Sequence, residues 1–200
     1  MKIGIIKQKY VSLPEPSDRE ILRYAGVRDG VSYDGGLLER AKVEVGKVVR
    51  SLVVYREMPI EIEDSLVSFG CVSVKSEKLA YAMRRAKRVI FMAATVGVEI
   101  DRLIAKKARL SAAEALMLDA VATERIEALC DEFCHSIDSD LLHEGLRTGI
   151  RFSPGYGDLP LEFQKEIFSL IAPERYIGLT LNASLMMSPS KSVSAIVAIE

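Results

Sequence analysis

Apolar residues recur three and four positions apart in several segments of the chain, which is the spacing of one face of an α-helix. The longest such segment begins at the capping box Ser111-Ala112-Ala113-Glu114 and predicts a helix that ends near Leu141. A second amphipathic helix is predicted from its cap at Asp34 to Arg50. Shorter helices are predicted at residues 17–26, 76–88, 97–108 and 161–171, the last of them starting beside Pro160.

Runs of β-branched and other apolar residues lie between these helices and predict strands. The run at residues 89–96 is apolar almost throughout, which indicates a strand buried on both faces. Further strands are predicted at residues 52–55, 65–74, 177–182 and 192–199, with another that ends near residue 152. We therefore predict an α+β fold: a mainly antiparallel β-sheet with flanking helices, one of them long. At this length we expect a single domain, residues 1–200.

Composition excludes several classes of protein. The chain is 49% hydrophobic and has a net charge of −1, so we expect neither disorder nor nucleic-acid or membrane-surface binding through bulk charge. Its longest apolar run, residues 89–98, is too short to cross a bilayer, and the apolar core at residues 1–7 is too short for a signal peptide. Three cysteines in such a chain indicate reduced thiols in the cytoplasm, and the scarcity of Asn and Gln indicates a thermophilic source.

Two cysteines and two histidines suggest a metal site at first sight. Cys130 and Cys134 lie four residues apart and could meet one ion on a helix, with His135 and His143 nearby in the sequence. Both cysteines also continue the apolar face of the long predicted helix, where cysteine packs as a small hydrophobe, and we favour that interpretation. The glycine-rich patterns of dinucleotide-binding and P-loop proteins are absent from the sequence.

The segment Arg-Phe-Ser-Pro-Gly-Tyr that starts at Arg151 contains the side chains best suited to bind a ligand. Arg151 offers a planar set of donors that matches a carboxylate. Pro154 stiffens a turn, Gly155 permits a positive φ and close approach of a ligand to the backbone, and Tyr156 offers a flat apolar face. Together they could hold an amino-acid carboxylate beside an aromatic base, although an ordinary strand-to-helix connection has the same pattern. Glu127, at the edge of the apolar helix face, could meet a ligand ammonium or simply face solvent.

This segment, followed by Pro160, resembles the Arg-x-x-Pro-Gly-Tyr loop of the activation domain of cobalamin-dependent methionine synthase. Three further stretches continue the likeness in order: Ile-Gly-Leu-Thr-Leu from Ile177, Ser-Leu-Met-Met-Ser-Pro from Ser184, and Ser-Val-Ser from Ser192. The likeness covers residues 149–195 and extends more weakly to residues 120–133. Residues 1–110 show no clear match to the family.

The resemblance implies a role as an accessory subunit for reductive reactivation of cobalamin-dependent methionine synthase. The chain would bind S-adenosylmethionine and present its methyl group to cob(I)alamin on a partner chain. A flavodoxin-like or other low-potential donor would supply the electron. The difficult chemistry would belong to the corrin, so no catalytic residue is assigned to this chain.

The resemblance also assigns a ligand site. Arg151 would grip the carboxylate of S-adenosylmethionine, and Glu127 would face its amino group. The full set of predicted ligand-binding residues is Glu127, Arg151, Ser153, Pro154, Gly155 and Tyr156. Two family contacts have no counterpart here, an N-terminal aspartate and a tyrosine beyond the Ser-Val-Ser strand. Because the sequence ends at Glu200, we expect weak affinity for the ligand alone or a site completed by the partner, as in a split system with cobalamin on a separate chain.

Two other functions stay open from the sequence. The first is a non-catalytic module of the same fold that senses a ligand or bridges partners, which the missing contacts favour. The second is a stand-alone methyltransferase that acts on a small molecule. It is less favoured because the sequence offers no clear general base or group to orient a nucleophile.

Overall fold

A computed structural model describes residues 3–28 and 33–200, and several helices in that part of the chain begin at caps that the sequence supplies. Four capping side chains accept a hydrogen bond from a backbone N–H of the first turn: Ser17, Asp34, Ser76 and Ser111. The helices are α1 (Asp18–Tyr24), α2 (Gly35–Val48), α3 (Glu77–Met83), α4 (Val98–Ala108), α5 (Ala112–Leu141), α6 (Gln164–Ile171) and α7 (Pro173–Ile177). Short 3-10 helices lie at Leu142–Glu144 and Leu161–Phe163. The prediction of one long helix is confirmed by α5.

Five strands form the main sheet, and every neighbouring pair in it is antiparallel. In their order across the sheet they are β1 (Lys7–Tyr10), β2 (Leu52–Met58), β6 (Arg88–Thr95), β10 (Ser192–Ile199) and β7 (Thr148–Phe152). Two smaller antiparallel sheets contain β3 (Glu61–Glu63), β4 (Leu66–Ser68) and β5 (Ser73–Lys75), and β8 (Thr180–Leu181) and β9 (Met187–Ser188). The predicted α+β fold with a mainly antiparallel sheet is confirmed.

Alternate residues of the main sheet enter two separate hydrophobic cores, because successive side chains of a strand point to opposite faces. Ile90 and Met92 of β6 face one core, which α1, α2, α4 and α5 cover. Phe91 and Ala93 face the other core, which α3, α6, α7 and the β3–β5 sheet cover. Residues 89–95 are buried, as the apolar run predicted.

Two strand predictions were wrong in part. The segment 65–74 is not one strand, because a turn with Gly70 at φ +85° separates β4 from β5 and the Phe69 N–H bonds to the Val72 carbonyl. The segment 177–182 is mostly not a strand either. Ile177 ends α7 and Gly178 adopts a left-handed conformation at φ +66°, which leaves only β8 extended. The predicted strand at 52–55 extends to Met58.

The described residues include no helix that is both long enough and apolar enough to span a membrane. The N-terminal stretch considered as a signal peptide includes residues 1–2, which lie outside the described part of the chain.

Candidate functional site

A pocket of about 730 Å³ opens where strand β7 separates from strand β10. The two strands pair as far as Phe152, which lies opposite Ile196, and the chain then turns away at Ser153. Strand β10 begins four residues before Ile196, so its first residues have β6 on one side and the pocket on the other. This volume lies within the range of small-molecule sites. The lining residues include five of the six that the sequence predicted: Glu127, Arg151, Ser153, Pro154 and Tyr156.

Arg151 and Glu127 lie together at one end of the pocket. The Arg151 Nη2 donates to Glu127 Oε2 at 2.6 Å, and its Nη1 donates to Asp131 Oδ1 at 3.3 Å. Glu127 and Asp131 are one turn apart on α5, so both carboxylates project from the same side of that helix toward β7. Burial alone would lower the pKa of Arg151, but neighbouring acidic groups, Glu127 and Asp131 among them, raise it overall. The guanidinium therefore stays charged beside two carboxylates.

A tight turn after β7 forms the next wall of the pocket. Gly155 has φ +88°, a conformation that side chains of L-residues disfavour, and its N–H bonds to the Leu159 carbonyl at 3.0 Å. A Cβ on Gly155 would lie 3.3 Å from Leu161 Cδ1, so the missing side chain makes room for Leu161. Gly155 itself is not among the lining residues. Ser153, Pro154 and the exposed Tyr156 line the pocket around it.

Asp158 joins this turn to the start of helix α3 through hydrogen bonds. Its carboxylate accepts hydrogen bonds from the Ser76 hydroxyl and from the backbone N–H groups of Glu77, at 2.8 Å, and Lys78, at 3.2 Å. The hydroxyl bond to Ser76 and the backbone bonds hold the pKa of Asp158 below its ordinary value. Asp158 could not be predicted from the sequence as part of this turn, because its partners lie about 80 positions away in the chain.

The opposite rim of the pocket is a turn between β8 and β9 that the sequence analysis missed. The Asn182 side-chain oxygen accepts from the N–H groups of Ser184, at 2.8 Å, and Met186, at 3.0 Å. This fixes the turn that carries Leu185 and Met186, both of which line the pocket. An asparagine followed by small and polar residues is a recognised turn signal, so this element could have been found from the sequence.

Gln164 and Ser194 form a buried polar pair in the pocket wall. Gln164 is 4% exposed and Ser194 3% exposed, and the Gln164 Nε2 donates to Ser194 Oγ at 3.1 Å. The Gln164 side-chain oxygen is buried without a hydrogen-bond partner. Neither residue was predicted from the sequence, since glutamine at a helix start and serine in a strand are both ordinary.

Cys130 and Cys134 continue the apolar side of α5. Cys130 is buried, and burial raises the pKa of its thiol to about 12, against a smaller lowering by Arg151. Its side chain packs among the apolar residues of the core that α5 covers. His135 is exposed and its Nδ1 lies 3.4 Å from Glu132 Oε1. Within residues 3–28 and 33–200, no three His, Cys, Asp or Glu side chains are grouped as metal ligands would be.

Comparison with known proteins identifies the family and the fold. A family model described as the activation domain of vitamin B12-dependent methionine synthase matches residues 81–200, which confirms the resemblance found in the sequence. The fold is similar to that of the MetH reactivation domain in a crystal structure with AdoHcy bound, at a TM-score of 0.72 and 17% sequence identity. That match covers 98% of this chain and 78% of that chain, so the shared fold includes the N-terminal half. No curated protein matches the sequence.

Proposed function

The chain belongs to the family of vitamin B12-dependent methionine synthase activation domains, and from this membership we propose that it binds S-adenosylmethionine for reactivation of a cobalamin-dependent methionine synthase. The Arg151–Glu127 pair in the wall of the pocket is the observation that carries the proposal. The bound ligand would present its methyl group to cobalamin on a partner chain.

The charges around Arg151 suit a zwitterionic ligand end. One guanidinium and the carboxylates of Glu127 and Asp131 lie within hydrogen-bond reach of each other, which leaves a net charge of −1. A guanidinium has five N–H donors, and these two bonds use two of them. The remaining donors can bind a ligand carboxylate, and the excess negative charge of the carboxylates can bind the ligand ammonium. An amino-acid group brings both charges in one fragment.

The turn after Arg151 supplies a place for the rest of the ligand. Tyr156 presents an exposed apolar face in the same pocket wall as Ser153 and the buried Pro154. Aromatic bases stack on such flat surfaces, as aromatic pairs in proteins do. An adenosyl ligand would thus extend along the pocket from Arg151.

Cobalamin, when reduced by a low-potential electron donor such as a flavodoxin-like protein, supplies the nucleophile for methyl transfer. Residues of this chain would hold the donor in position and exclude other orientations. Exposed apolar side chains surround the mouth of the pocket, with Tyr156 70% and Met186 66% exposed. Such a rim fits a docking partner that approaches the bound ligand directly.

The same proposal treats residues 1–200 as one domain in the cytoplasm. Both hydrophobic cores are built on the two faces of a single sheet, so neither half of the chain has a complete core without the other. All three cysteines, Cys71, Cys130 and Cys134, are free thiols, as a reducing compartment would keep them.

Titration calorimetry with S-adenosylmethionine and AdoHcy tests ligand binding. The variant Arg151→Gln removes the charged guanidinium. Loss of its charge-assisted hydrogen bond to the ligand should lower the affinity about ten- to a hundredfold. Arg102→Gln is the matched control, because Arg102 forms an exposed ion pair with Glu99 on α4. Equal affinity of Arg151→Gln and the wild-type chain would remove Arg151 from the site.

Reactivation itself is tested with an inactive cob(II)alamin form of methionine synthase, a reductant and S-adenosylmethionine. Addition of the chain should restore the absorption spectrum of methylcobalamin, and a sample without the chain is the control. No recovery beyond that control would contradict the reactivation role. Tight binding to the synthase without any binding of AdoHcy would instead favour a non-catalytic module that bridges partners.

A further inference from the structure

The carboxamide of Gln164 is an incompletely bonded polar group in the wall of the ligand pocket. It lies at the first residue of α6, is 4% exposed, and bonds through one end to the Ser194 hydroxyl on β10. The other end is buried without a partner. More than nine in ten buried polar groups in folded proteins are hydrogen-bonded, so this atom is an exception that a ligand could explain.

The hydroxyl of the nearby Ser192 already has hydrogen-bond partners. Ser192, two residues before Ser194 on β10, already donates to the Pro189 carbonyl at 2.8 Å and lies 2.9 Å from Thr95 Oγ1. Ser194 is engaged with Gln164 itself. The hydroxyls of Ser192 and Ser194 thus each have a hydrogen-bond partner, whereas the Gln164 Oε1 has none and can accept a hydrogen bond from a ligand.

The position of Gln164 along the pocket indicates which part of a ligand it meets. Arg151 lies opposite Val197 on β10, and Ser194 lies three residues from Val197 along the same strand. Three residues of extended chain span about 10 Å. Because three is an odd number, Ser194 and Gln164 lie on the α6 side of the sheet and Arg151 lies on the α5 side. A ligand whose amino-acid end binds at Arg151 would therefore pass the edge of the sheet and bring to Gln164 a group at least about 10 Å from that end. In an adenosyl ligand that group is the nucleoside, which carries N–H and O–H donors.

We propose that Gln164, held in place by Ser194, is a second recognition point of the pocket that hydrogen-bonds the nucleoside part of the ligand. The inference rests on the proposed function and names a residue that neither the family resemblance nor the predicted site includes. The bond to Ser194 fixes the Nε2 end of the carboxamide and leaves Oε1 as the acceptor for an N–H or O–H donor of the ligand. Gln164 acts as a positioning residue, with no part in the transfer of the methyl group.

The test measures AdoHcy binding to the full chain by calorimetry. Gln164→Leu keeps most of the volume of the side chain and removes both polar ends. We expect its affinity to be about tenfold lower, since a lost hydrogen bond in a buried site changes affinity by roughly that factor. Gln8→Leu is the matched control, because Gln8 is the other glutamine and is exposed on β1. Gln164→Met is the second variant, in case the branched leucine is not accommodated at this site.

Two analogues identify the donor that Gln164 meets. S-Inosylhomocysteine replaces the exocyclic amine of AdoHcy, and the 2′-deoxy analogue lacks one ribose hydroxyl. The wild-type chain should lose affinity for the analogue that lacks the contacted donor, whereas Gln164→Leu should bind that analogue and AdoHcy equally well. The analogue with this behaviour names the group, whether amine or hydroxyl.

Thermal unfolding without ligand separates this role from a structural one. If the carboxamide serves ligand binding, Gln164→Leu should unfold at about the same temperature as the wild-type chain, because removal of the unpartnered oxygen offsets the loss of the bond to Ser194. Lower stability with unchanged AdoHcy affinity and no analogue effect would show a structural bond between α6 and β10 and overturn the inference. The proposed function would survive that result. Failure of the wild-type chain to bind AdoHcy would contradict the proposed function and this inference together.

Discussion

Gly155 holds a backbone conformation that other residues reach only at a cost in free energy. With φ at +88° and Leu161 Cδ1 3.3 Å from an added Cβ, Gly155→Ala meets both backbone strain and a crowded neighbour. We expect the free energy of unfolding to fall by about 1–2 kcal/mol, measured by urea denaturation. In the control Gly46→Ala, the new Cβ meets nothing within 4 Å on helix α2, so stability should rise by about 1 kcal/mol. A Gly155→Ala variant as stable as the wild type would show that the turn relaxes freely.

Single residues of the site could be predicted from the sequence, but their contacts could not. Arg151 was selected by its side-chain chemistry and by the family loop, whereas Glu127 was selected by its charge at the edge of the apolar helix face and by the weaker likeness over residues 120–133. Their pairing across 24 positions depends on how β7 crosses α5, which no local pattern encodes. Gln164 was missed for the opposite reason. Its residue type is ordinary, and only the packing of α6 against β10 makes its burial unusual.

Helix α3 and the pocket turn are linked at the scale of elements by the carboxylate of Asp158. Hydrogen bonds from Ser76, Glu77 and Lys78 lower the pKa of Asp158 in the folded chain from its ordinary 3.8. A carboxyl with a lowered folded pKa contributes stability above its unfolded pKa, and this contribution is lost as pH falls through the folded value. We therefore expect the stability of the wild-type chain to decrease below about pH 4 in part because Asp158 becomes protonated.

Urea unfolding of Asp158→Asn at several pH values checks this link. The variant should be less stable than the wild type at pH 7, and the difference should shrink as the pH falls below 4, where the wild-type carboxyl also loses its charge. The side chain is exposed, so solvent screens the effect and it should be modest. Glu61→Gln, an exposed carboxyl on β3, serves as the control. A constant difference between Asp158→Asn and wild type at all pH values would contradict the assignment.

Element boundaries were predicted well where a local signal fixes them and poorly where packing does. Serine and aspartate caps located the starts of α1, α2, α3 and α5. The segment 65–74 is rich in strand formers throughout, so composition alone could not place the turn at Gly70. Edge strand β1 has a largely polar sequence, and its place beside β2 comes from sheet pairing over about 45 positions rather than from its own pattern.

Residues from the layers on both sides of the main sheet line the pocket. Glu127 comes from α5, which covers one hydrophobic core, and Gln164 comes from α6, which covers the other. Both residues line the pocket at the sheet edge where β7 turns away from β10, whereas the paired strands of the sheet separate the two layers. A ligand in this pocket would connect the two layers, and ligand binding should therefore stabilise the fold as a whole.

A substitution on the exposed rim of the pocket should weaken binding of the partner, whereas a substitution in the ligand site should weaken binding of S-adenosylmethionine. Met186→Asp places a charge on the apolar rim, and we expect the partner concentration needed for half-maximal reactivation to rise about fivefold or more, as for a residue central to an interface. Raising S-adenosylmethionine should not rescue Met186→Asp but should rescue Arg151→Gln, because the second variant is impaired in ligand affinity. Leu110→Asp is the control, since Leu110 is an exposed apolar residue that lies two positions before α5, and Glu127 lies more than four helical turns along that helix. If added S-adenosylmethionine restores Met186→Asp fully, Met186 belongs to the ligand site and the docking surface lies elsewhere.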